Sequence, residues 1–315
     1  MLVLDLIIFL FCFFILIRSA NYAVKYSSGF ARSLHISEFI VSFFIISFIS
    51  LSPEATIGIF SAIEGTPEFG LGTLLGSNVA DMLLIFGIVA LFSLKGIKVK
   101  SEILKEDLLY IILLAVPVIL GFDGKFSRVD GILLVLSGTI FLVTLSIKGK
   151  VFKKKKPLRK NSKKWKKNLI LLIISLSFLI ASAYFTVKFG VNFANDLKIP
   201  PFIIALTIIS IGSCLPELIF SLKAVKTNHD ELALGDILGT VIIDATIILG
   251  IMALINPFNF NPSIIYSTGI ILFAAGILVV LFLKSGKLLS KREGILLLIF
   301  YLISLIIGFA VNKVF

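Results

Sequence analysis

Four carboxylates lie deep inside long apolar segments of this sequence, and we call them the four acids: Glu54, Asp81, Glu217 and Asp244. On insertion scales a charged side chain at the centre of a membrane costs about 2.5–3.5 kcal/mol, so four together cost roughly 10 kcal/mol or more. Buried ion pairs could offset this cost, but all 30 Lys and Arg residues fall in loops or at the ends of apolar segments. We therefore expect a bound cation to supply the positive charge.

Each of the four acids has a hydroxyl residue four positions earlier, and these residues are Ser50, Ser77, Ser213 and Thr240. Residues i and i−4 share one face of a helix, so each carboxylate has a second oxygen on its own face. Ser47 and Ser210 extend the faces of Glu54 and Glu217 by a further turn. A single serine in a helix usually bonds to its own backbone, but the repetition of this spacing at all four acids favours a set of ligands.

Proline precedes two of the acids, in "LSPEAT" and "CLPELI". Pro53 and Pro216 lack a backbone N–H and interrupt a helix, so we expect carbonyls in Ser47–Ser50 and Ser210–Ser213 to lose their usual partners. Such carbonyls are tolerated inside a membrane where they line a protein or water cavity. Carboxylate, hydroxyl and carbonyl oxygens together suit Ca²⁺, Na⁺ or Mg²⁺, and they do not suit Zn²⁺ or Cu⁺.

The elements that must hold these residues are membrane-spanning helices. Apolar residues make up 58% of the 315 residues, and runs near the ~20 residues that cross a bilayer recur along the chain. We predict ten spans: 2–20, 36–62, 68–93, 106–121, 127–147, 168–189, 200–224, 231–255, 262–284 and 292–312. The remaining sequence has no room for a soluble domain of ~50 residues. The expected fold is therefore an all-α integral membrane protein.

The net charge of +12 is distributed as in a membrane protein and not as in a protein that binds nucleic acid. When the loops are assigned alternately to two sides, one side holds 25 Lys and Arg residues and the other side holds five. Because cytoplasmic loops carry the excess of basic residues, we predict a multi-pass protein of the cell membrane with both termini outside and loop 148–168 in the cytoplasm. This loop is a topology anchor, or its segment Lys148–Lys167 binds anionic lipid head groups.

A shift of 163 positions places Phe39–Ala90 on Phe202–Ala253 without a gap, with 18 of 52 residues identical. Five spans separate the two copies, and because five is odd the copies cross the membrane in opposite directions. Inverted repeats of this kind are typical of secondary transporters, whose substrate site lies between the repeats near the middle of the bilayer. We predict two five-span halves, 1–147 and 169–315, joined by the linker 148–168.

Glycines four residues apart occur in both copies, in "GLGTLLGSNVAD" and "ALGDILGTVIID". Small residues at this spacing let membrane helices approach each other closely. We expect them to bring spans 3 and 8 against neighbouring helices, and so to bring the two kinds of acid together. The glycines are Gly72, Gly76, Gly235 and Gly239.

These motifs resemble the two alpha repeats of the calcium/cation antiporter superfamily, in particular the sodium/calcium exchangers of the short prokaryotic type with ten spans. The family pattern Gly-Thr-Ser-Leu-Pro-Glu is present as "GSCLPE" and, less completely, as "ISLSPE", and the later Gly-Ser-Asn pattern as "GSNVAD" and "GTVIID". The resemblance implies that Glu54 and Glu217 are the central Ca²⁺ ligands, helped by carbonyls near Ser50 and Ser213. It also implies flanking roles for Asp81 and Asp244, and positions near the monovalent-cation sites for Ser47, Ser77, Ser210 and Thr240.

The sequence departs from this family pattern around the two prolines. Leu51 and Cys214 replace serines and Ile49 replaces a glycine, so two hydroxyls expected to help bind Na⁺ are missing. Both flanking acids are Asp, where many exchangers have one Asn. Four close carboxylates repel one another unless cations bind, which keeps H⁺ open as the coupling ion. We interpret Cys214 itself as a small packing residue.

The predicted function is exchange of Ca²⁺ for Na⁺ by alternating access, with Ca²⁺/H⁺ or other cation/H⁺ exchange as the alternative. We predict a transporter and not an enzyme, with no permanently bound cofactor, no nucleic acid and no obligatory protein partner. An intramembrane aspartyl protease would need Gly-x-Gly-Asp, but "ALGD" at Ala233–Asp236 lacks the first glycine. Asp236 marks either a cytoplasmic entrance or a solvated helix end. A channel is disfavoured because an inverted repeat with one buried site is typical of alternating access.

Overall fold

The part of the chain that the computed structural model describes is almost entirely helical, and it comprises residues 2–33, 50–93, 96–98, 107–149, 165–227, 230–286 and 288–313. The α-helices are α1 (Leu2–Ser33), α2 (Ser52–Ile63), α3 (Pro67–Val79), α4 (Phe86–Phe92), α5 (Asp107–Leu120), α6 (Arg128–Gly149), α7 (Trp165–Asp196), α8 (Pro201–Ile204), α9 (Ser210–Ser213), α10 (Leu215–Lys226), α11 (Asp230–Ile243), α12 (Leu249–Ile255), α13 (Ile270–Gly286) and α14 (Lys291–Lys313). The π-helical segments are Ala80–Ile85, Ala205–Ile209, Asp244–Ile248 and Ile265–Gly269. The strands are β1 (Ile97–Lys98), β2 (Lys125–Phe126), β3 (Phe258–Asn259) and β4 (Leu288–Leu289).

A helix lies at each of the ten predicted spans, although the first part of span 2, residues 36–49, lies outside the described residues. Six described segments are long and apolar enough to cross a membrane: Leu2–Ala23, Pro67–Phe92, Lys166–Asp196, Pro201–Lys226, Ala233–Ile255 and Ile265–Lys284. Some helices continue past the predicted span, as α1 does to Ser33, because backbone hydrogen bonding does not stop where the apolar run stops. The prediction of an all-α membrane protein is confirmed.

The duplication extends well beyond the 52 residues in which the two sequences match. Helices α1 and α7 both have 32 residues, and their first residues, Leu2 and Trp165, are 163 positions apart. The same offset relates α2 to α10 and α4 to α12, which have 12 and 7 residues in both copies. It also relates the first residues of α5 and α13 and of α6 and α14. The first residues of these helices therefore match between the two halves, although some of the helices end at different positions.

Two pairs of glycines bring helices from different halves into backbone contact. A Cβ atom on Gly87 would lie 2.9 Å from the carbonyl oxygen of Gly294, and one on Gly294 would lie 3.0 Å from that of Gly87. The related pair, Gly131 and Gly250, gives 2.8 Å in both directions. Because glycine has no Cβ, α4 can cross α14 and α12 can cross α6 at this distance.

Two short antiparallel ladders also join the halves, in the loops that flank α5 and α13. β1 pairs with β4, which places Ile97 opposite Leu289, and β2 pairs with β3, which places Phe126 opposite Phe258. The rings of Phe126 and Phe258 are 5.7 Å apart. Each ladder thus connects one end of α5 to one end of α13.

Helices α6 and α14 begin with matching capping boxes. The backbone N–H and the hydroxyl of Ser127 donate to Asp130 Oδ2 at 2.8 and 2.6 Å. The same groups of Ser290 donate to Glu293 Oε2, both at 2.7 Å. A capping box satisfies backbone groups that the first helical turn leaves without intrahelical partners, so both helices start at equivalent residues.

Helices α1 and α7 pack against each other, and their remaining faces are apolar and exposed. Large side chains on these faces include Val3, Phe11, Ile173 and Phe178, which are between 55% and 66% exposed. An apolar surface of this length suits the hydrocarbon layer of a bilayer. The polar residues described next lie on the opposite side, in the interior of the bundle.

Candidate cation site between the two repeats

A one-residue break separates α9 from α10 within span 7. Cys214 at this break has φ −74° and ψ −1°, and Pro216 follows in the first turn of α10. Leu51, immediately before α2, has φ −72° and ψ −1°, and Pro53 follows in the first turn of α2. Both breaks therefore have the same backbone conformation, and each places a glutamate directly after its proline: Glu54 and Glu217.

The break changes the hydrogen bonding of only part of the preceding turn. Pro216 lacks the N–H that would reach the carbonyl of Gly212 in a continuous helix. The carbonyl of Ser210 accepts a hydrogen bond from the backbone N–H of Cys214 at 3.2 Å, so it does not lose its partner as we expected from the sequence. The corresponding prediction for Ser47 lies outside the described residues.

The four acids are completely buried, each with 0% of its surface exposed. Asp81 lies in the π-helical segment Ala80–Ile85, and Asp244 begins the π-helical segment Asp244–Ile248. A π-helical turn contains an extra residue and is frequent at functional sites. The carboxyl groups of Glu54, Asp81 and Glu217 lie within electrostatic range of one another. That of Asp244 lies within range of Glu54 and Asp81, so the arrangement extends across both repeats. We call this arrangement the carboxylate cluster.

None of the oxygens in the carboxylate cluster accepts a hydrogen bond from a described residue, and no described Lys or Arg pairs with them. Burying a carboxylate in this way is costly when it is ionised. The described residues include no group of three or more His, Cys, Asp and Glu side chains that is placed to hold a metal ion. The four acids are thus close together without converging on one point, and hydroxyl and carbonyl oxygens would have to complete the ligand set of a cation.

Polar groups of the second repeat lie beside acids of the first. Ser213 and Cys214 lie next to the carboxyl group of Glu54, although neither is placed to donate a hydrogen bond to it. The thiol of Cys214 donates to the carbonyl oxygen of Ser77 at 3.5 Å. Cys214 is therefore a buried residue that also connects the second helix break to α3.

Asp236 is a further buried carboxylate near the cluster. It is only 2% exposed, which rules out a solvated helix end. Its Oδ1 atom accepts a hydrogen bond from the hydroxyl of Ser50 at 3.2 Å, and its charge lies within range of Asp81 and Glu217. The residue 163 positions earlier is Thr73, so this acid is present in one half only.

Three of the six hydroxyl groups that the sequence singled out donate to carbonyls of their own spans. These bonds run from Ser77 to Leu74 and from Ser213 to Ser210 at 3.1 Å each, and from Ser210 to Leu206. The hydroxyl of Thr240 has no hydrogen-bond partner among the described residues, and Ser47 lies outside them. A hydroxyl that donates its proton to the backbone keeps its lone pairs, so this bonding is compatible with a cation ligand.

The glycines of α3 lie against span 7, close to the second helix break. A Cβ atom on Gly72 would lie 2.7 Å from the carbonyl oxygen of Phe202, and one on Gly76 would lie 2.6 Å from that of Leu206. Helix α3 is therefore in backbone contact with span 7 of the other repeat. The counterparts on α11, Gly235 and Gly239, are buried.

Comparison with known proteins identifies the family. The model of the sodium/calcium exchanger protein family matches residues 4–147 and 167–310. The chain belongs to this family. The two matched segments begin 163 positions apart, which is the offset between the two sets of helices. The chain is thus a membrane transporter and not an enzyme.

Several relatives are similar over nearly their whole length. A protein named as the antiporter CaxA, from Alkalimonas amylolytica, is 31% identical over 303 residues, covering 91% of this chain and 93% of its own. The sodium/calcium exchanger MaX1 of Methanosarcina acetivorans is 24% identical over 353 residues, covering 98% and 99%. A solved structure of the sodium-calcium exchanger NCX_Mj, soaked with 10 mM Na⁺ and zero Ca²⁺, matches with a TM-score of 0.69 and 26% identity and covers 97% of this chain and 99% of its own.

Two buried hydroxyls near the carboxylate cluster of this exchanger were not singled out by the sequence analysis. Tyr301 lies on α14 and Thr268 lies in the π-helical segment Ile265–Gly269, and both are 4% exposed. The signal that could have indicated them is a polar atom within an apolar span. Such hydroxyls are common in spans, so the location of Tyr301 near Asp81 becomes evident only from the packing of α14.

Proposed function

We propose that this protein is a secondary active antiporter that exchanges Ca²⁺ for Na⁺ at one site near the middle of the membrane. The observation that carries the proposal is the carboxylate cluster, in which four acids are buried at the contact between the repeats and have no basic partner in the described part of the chain. Membership of the sodium/calcium exchanger family supports it. Similarity to MaX1 and NCX_Mj, both named as sodium/calcium exchangers, supports the choice of the two ions.

In this proposal Glu54 and Glu217 are the central Ca²⁺ ligands, and Asp81 and Asp244 flank them. The remaining oxygens come from the hydroxyl residues and the carbonyls near the two helix breaks, and these residues are Ser47, Ser50, Ser77, Ser210, Ser213 and Thr240. Calcium takes six to eight oxygen ligands in flexible geometry, which suits a mixed set of this kind. The ions are substrates of the protein and not resident cofactors.

Burial of the cluster explains why the two ion movements are coupled. An empty cluster of ionised carboxylates is unfavourable inside a membrane, so the site closes to water only after cations have entered it. Calcium enters from one side, the accessible side changes, and Na⁺ replaces Ca²⁺ before the site returns. Each ion thus has to be present for the movement of the other.

The proposal includes a location and an orientation. The protein lies in the cell membrane, with both termini outside and the basic linker 148–168 in the cytoplasm between halves 1–147 and 169–315. Anionic lipids attract basic segments of this kind, so Lys148–Lys167 contacts their head groups. One variant would carry an added cysteine at the N-terminus and another would carry one in the linker. When whole cells are treated with an impermeant thiol reagent, only the cysteine at the N-terminus should react. Labelling of the linker would contradict the orientation.

Reconstituted transport tests the choice of ions. Purified protein in liposomes should take up ⁴⁵Ca²⁺ when an outward Na⁺ gradient is applied at equal pH on both sides. An outward H⁺ gradient without Na⁺ should drive no uptake. Uptake that follows only the H⁺ gradient would identify the protein as a Ca²⁺/H⁺ antiporter, and absence of uptake under both gradients would show that Ca²⁺ is not the substrate.

Neutral variants of the central acids test the site. We expect Glu54→Gln and Glu217→Gln to abolish Na⁺-driven uptake, because each removes one charge that balances Ca²⁺. Folding should be retained, since the glutamine side chain has the same size. Glu64→Gln is the matched control, because Glu64 lies at the exposed end of α2. Normal uptake by either central variant would refute the assignment of the site.

A further inference from the structure

Asn78 is a buried polar residue to which the proposed function gives no role. It lies in the motif "GSNVAD", where the sequence analysis assigned ligand roles to Ser77 and Asp81. The side chain of Asn78 is completely buried, and neither Oδ1 nor Nδ2 of its amide has a hydrogen-bond partner among the described residues. Leaving a buried amide without partners costs free energy. The groups that this amide serves therefore have to lie at its own level of the bundle.

Three elements meet one turn before Asn78 on α3. A Cβ atom on Gly58 of α2 would lie 3.7 Å from Cδ1 of Leu74 on α3 and 3.6 Å from Cγ2 of Ile248. Because Leu74 is four residues before Asn78, the two side chains lie on the same face of α3. This face therefore points towards α2 and towards the π-helical segment that ends at Ile248.

The directions of the three elements are fixed by their connections. Helices α2 and α3 are antiparallel, because the short turn 64–66 joins them. Span 8 runs parallel to α2, because Ile248 lies beside Gly58, and Asn256 Nδ2 donates further on to the carbonyl oxygen of Ala62 at 3.2 Å. Going forward along α3 therefore means going back along both α2 and span 8.

The next turn of the same three elements is polar. About one turn from the contact at Gly58, the residues are Asn78 on α3, Glu54 on α2 and Asp244 on span 8. All three are completely buried, and none of their side-chain oxygen and nitrogen atoms has a hydrogen-bond partner among the described residues. We call these three residues the polar layer. The amide thus lies at the level of two carboxylates from different repeats.

The amide is present in one half only. The residue 163 positions after Asn78 is Val241, which is also completely buried. The corresponding layer of the other half therefore consists of Val241, Glu217 and Asp81. Because the acids of the two layers match, the amide is the polar group that distinguishes them.

The donor set of the polar layer suits a monovalent cation. Carboxylate and amide oxygens are hard ligands, and the amide oxygen adds a ligand without adding a charge. In the proposed function Ca²⁺ lies between Glu54 and Glu217, and the polar layer contains only Glu54, so it lies to one side of the Ca²⁺ position. Sodium ions that replace Ca²⁺ repel one another and need separate places of this kind.

We propose that Asn78 is a Na⁺ ligand, whose Oδ1 contacts a sodium ion held by Glu54 and Asp244 while its Nδ2 donates a hydrogen bond to one of these carboxylates. The ion and the hydrogen bond together satisfy both ends of the buried amide. The other half, with Val241, offers no equivalent oxygen. This inference rests on the proposed function, because it adds a ligand to the same site.

Cation-dependent thermal stability tests this ligand without transport. Purified protein in detergent is heated with increasing NaCl in one series and increasing CaCl₂ in another, with choline chloride to hold the ionic strength constant. A cation that binds the folded state raises the Tm. For Asn78→Leu we expect the Na⁺ concentration at half of the maximal shift to rise about fivefold, as for the loss of one bond. The corresponding Ca²⁺ concentration should change by less than about twofold, because Ca²⁺ lies outside the polar layer.

Two further variants separate ligand binding from packing. Asn78→Asp has the same shape and keeps an oxygen at this place, so its half-maximal Na⁺ concentration should not exceed that of the wild type. Val241→Ala disturbs the packing at the matching buried place and should leave both half-maximal concentrations unchanged. If Asn78→Leu does not fold, Asn78→Ala makes the same comparison.

The possible results distinguish this inference from the proposed function. An unchanged Na⁺ concentration in Asn78→Leu, an equal rise in Val241→Ala, or a wild-type protein that Na⁺ does not stabilise would each overturn the role of Asn78. An equal rise for Na⁺ and Ca²⁺ in Asn78→Leu would overturn the assignment to a monovalent ion. A wild-type protein that Na⁺ stabilises through Asn78 but that takes up no ⁴⁵Ca²⁺ would refute the proposed exchange alone.

Discussion

Replacing Gly76 with alanine should push the two repeats apart where α3 lies against span 7. The added Cβ atom would lie 2.6 Å from the carbonyl oxygen of Leu206 and 2.8 Å from the Cβ and hydroxyl oxygen of Ser210. Ordinary van der Waals contact begins at 3.4 Å. The helices must therefore move apart by 0.8 Å, from 2.6 Å to 3.4 Å. A backbone carbonyl cannot turn aside as a long side chain can, so the whole segment has to move.

We expect this displacement to cost about 1–3 kcal/mol of unfolding free energy, the usual range for overpacking a well-packed interior. The apparent Tm of the detergent-solubilised protein should fall by ~2–10 °C, at a few degrees per kcal/mol. Transport should fall as well, because Ser210 moves together with the segment that leads to the second helix break. Thermal unfolding and ⁴⁵Ca²⁺ uptake, measured on the same preparations, would determine both effects.

Gly269→Ala is the matched control for this substitution. A Cβ atom on Gly269 would have its nearest neighbour, a side-chain atom of Ile265, at 3.4 Å, so the alanine fits without any movement. If Gly76→Ala has the same Tm and the same uptake as Gly269→Ala, then α3 and span 7 are not in backbone contact, and the argument from close packing fails.

Two further predictions concern single hydrogen-bonded groups. Asp236→Ala should raise the KM for Ca²⁺ by about tenfold, because it removes a hydrogen bond to a charged group, and such bonds contribute about 1.5–3 kcal/mol. Asp236→Asn keeps an oxygen that accepts from Ser50, so it should raise the KM less. The control is Thr73→Ala, at the matching position of the other half, which should transport normally. If Asp236→Ala and Asp236→Asn raise the KM equally, the hydrogen bond from Ser50 is not the cause. Asp130→Ala and Glu293→Ala should each lower the unfolding free energy by ~1 kcal/mol without changing KM, and clearly unequal losses in thermal unfolding would contradict the equivalence of the two capping boxes.

Residues that conflict with their surroundings were the ones that could be predicted from the sequence. A carboxylate in an apolar run is unfavourable wherever it occurs, so Glu54 and Asp81 are conspicuous without a structure. The same holds for Pro53, which interrupts a helix. The repeat was visible because such positions recur at a constant offset, and the family, the all-α fold and the class of transporter followed from it.

Features that depend on packing could not be predicted in this way. The π-helical segments at Asp81 and Asp244 add one residue to a turn, and no particular residue type marks this change. The bond between Ser50 and Asp236 joins residues 186 positions apart. The sequence predicted two five-span halves, but only 52 residues of each half could be aligned, because positions that face lipid need only be apolar and lose their identity.

The two short ladders determine which movements the protein can make. Because β1 pairs with β4 and β2 pairs with β3, α5 and α13 are connected to each other at both ends, on opposite sides of the membrane. A movement of one half relative to the other that keeps both ladders paired has to turn about a line through the two ladders. We therefore expect the loops at the two ends of α5 and α13 to act as a hinge, so that spans far from this line move most.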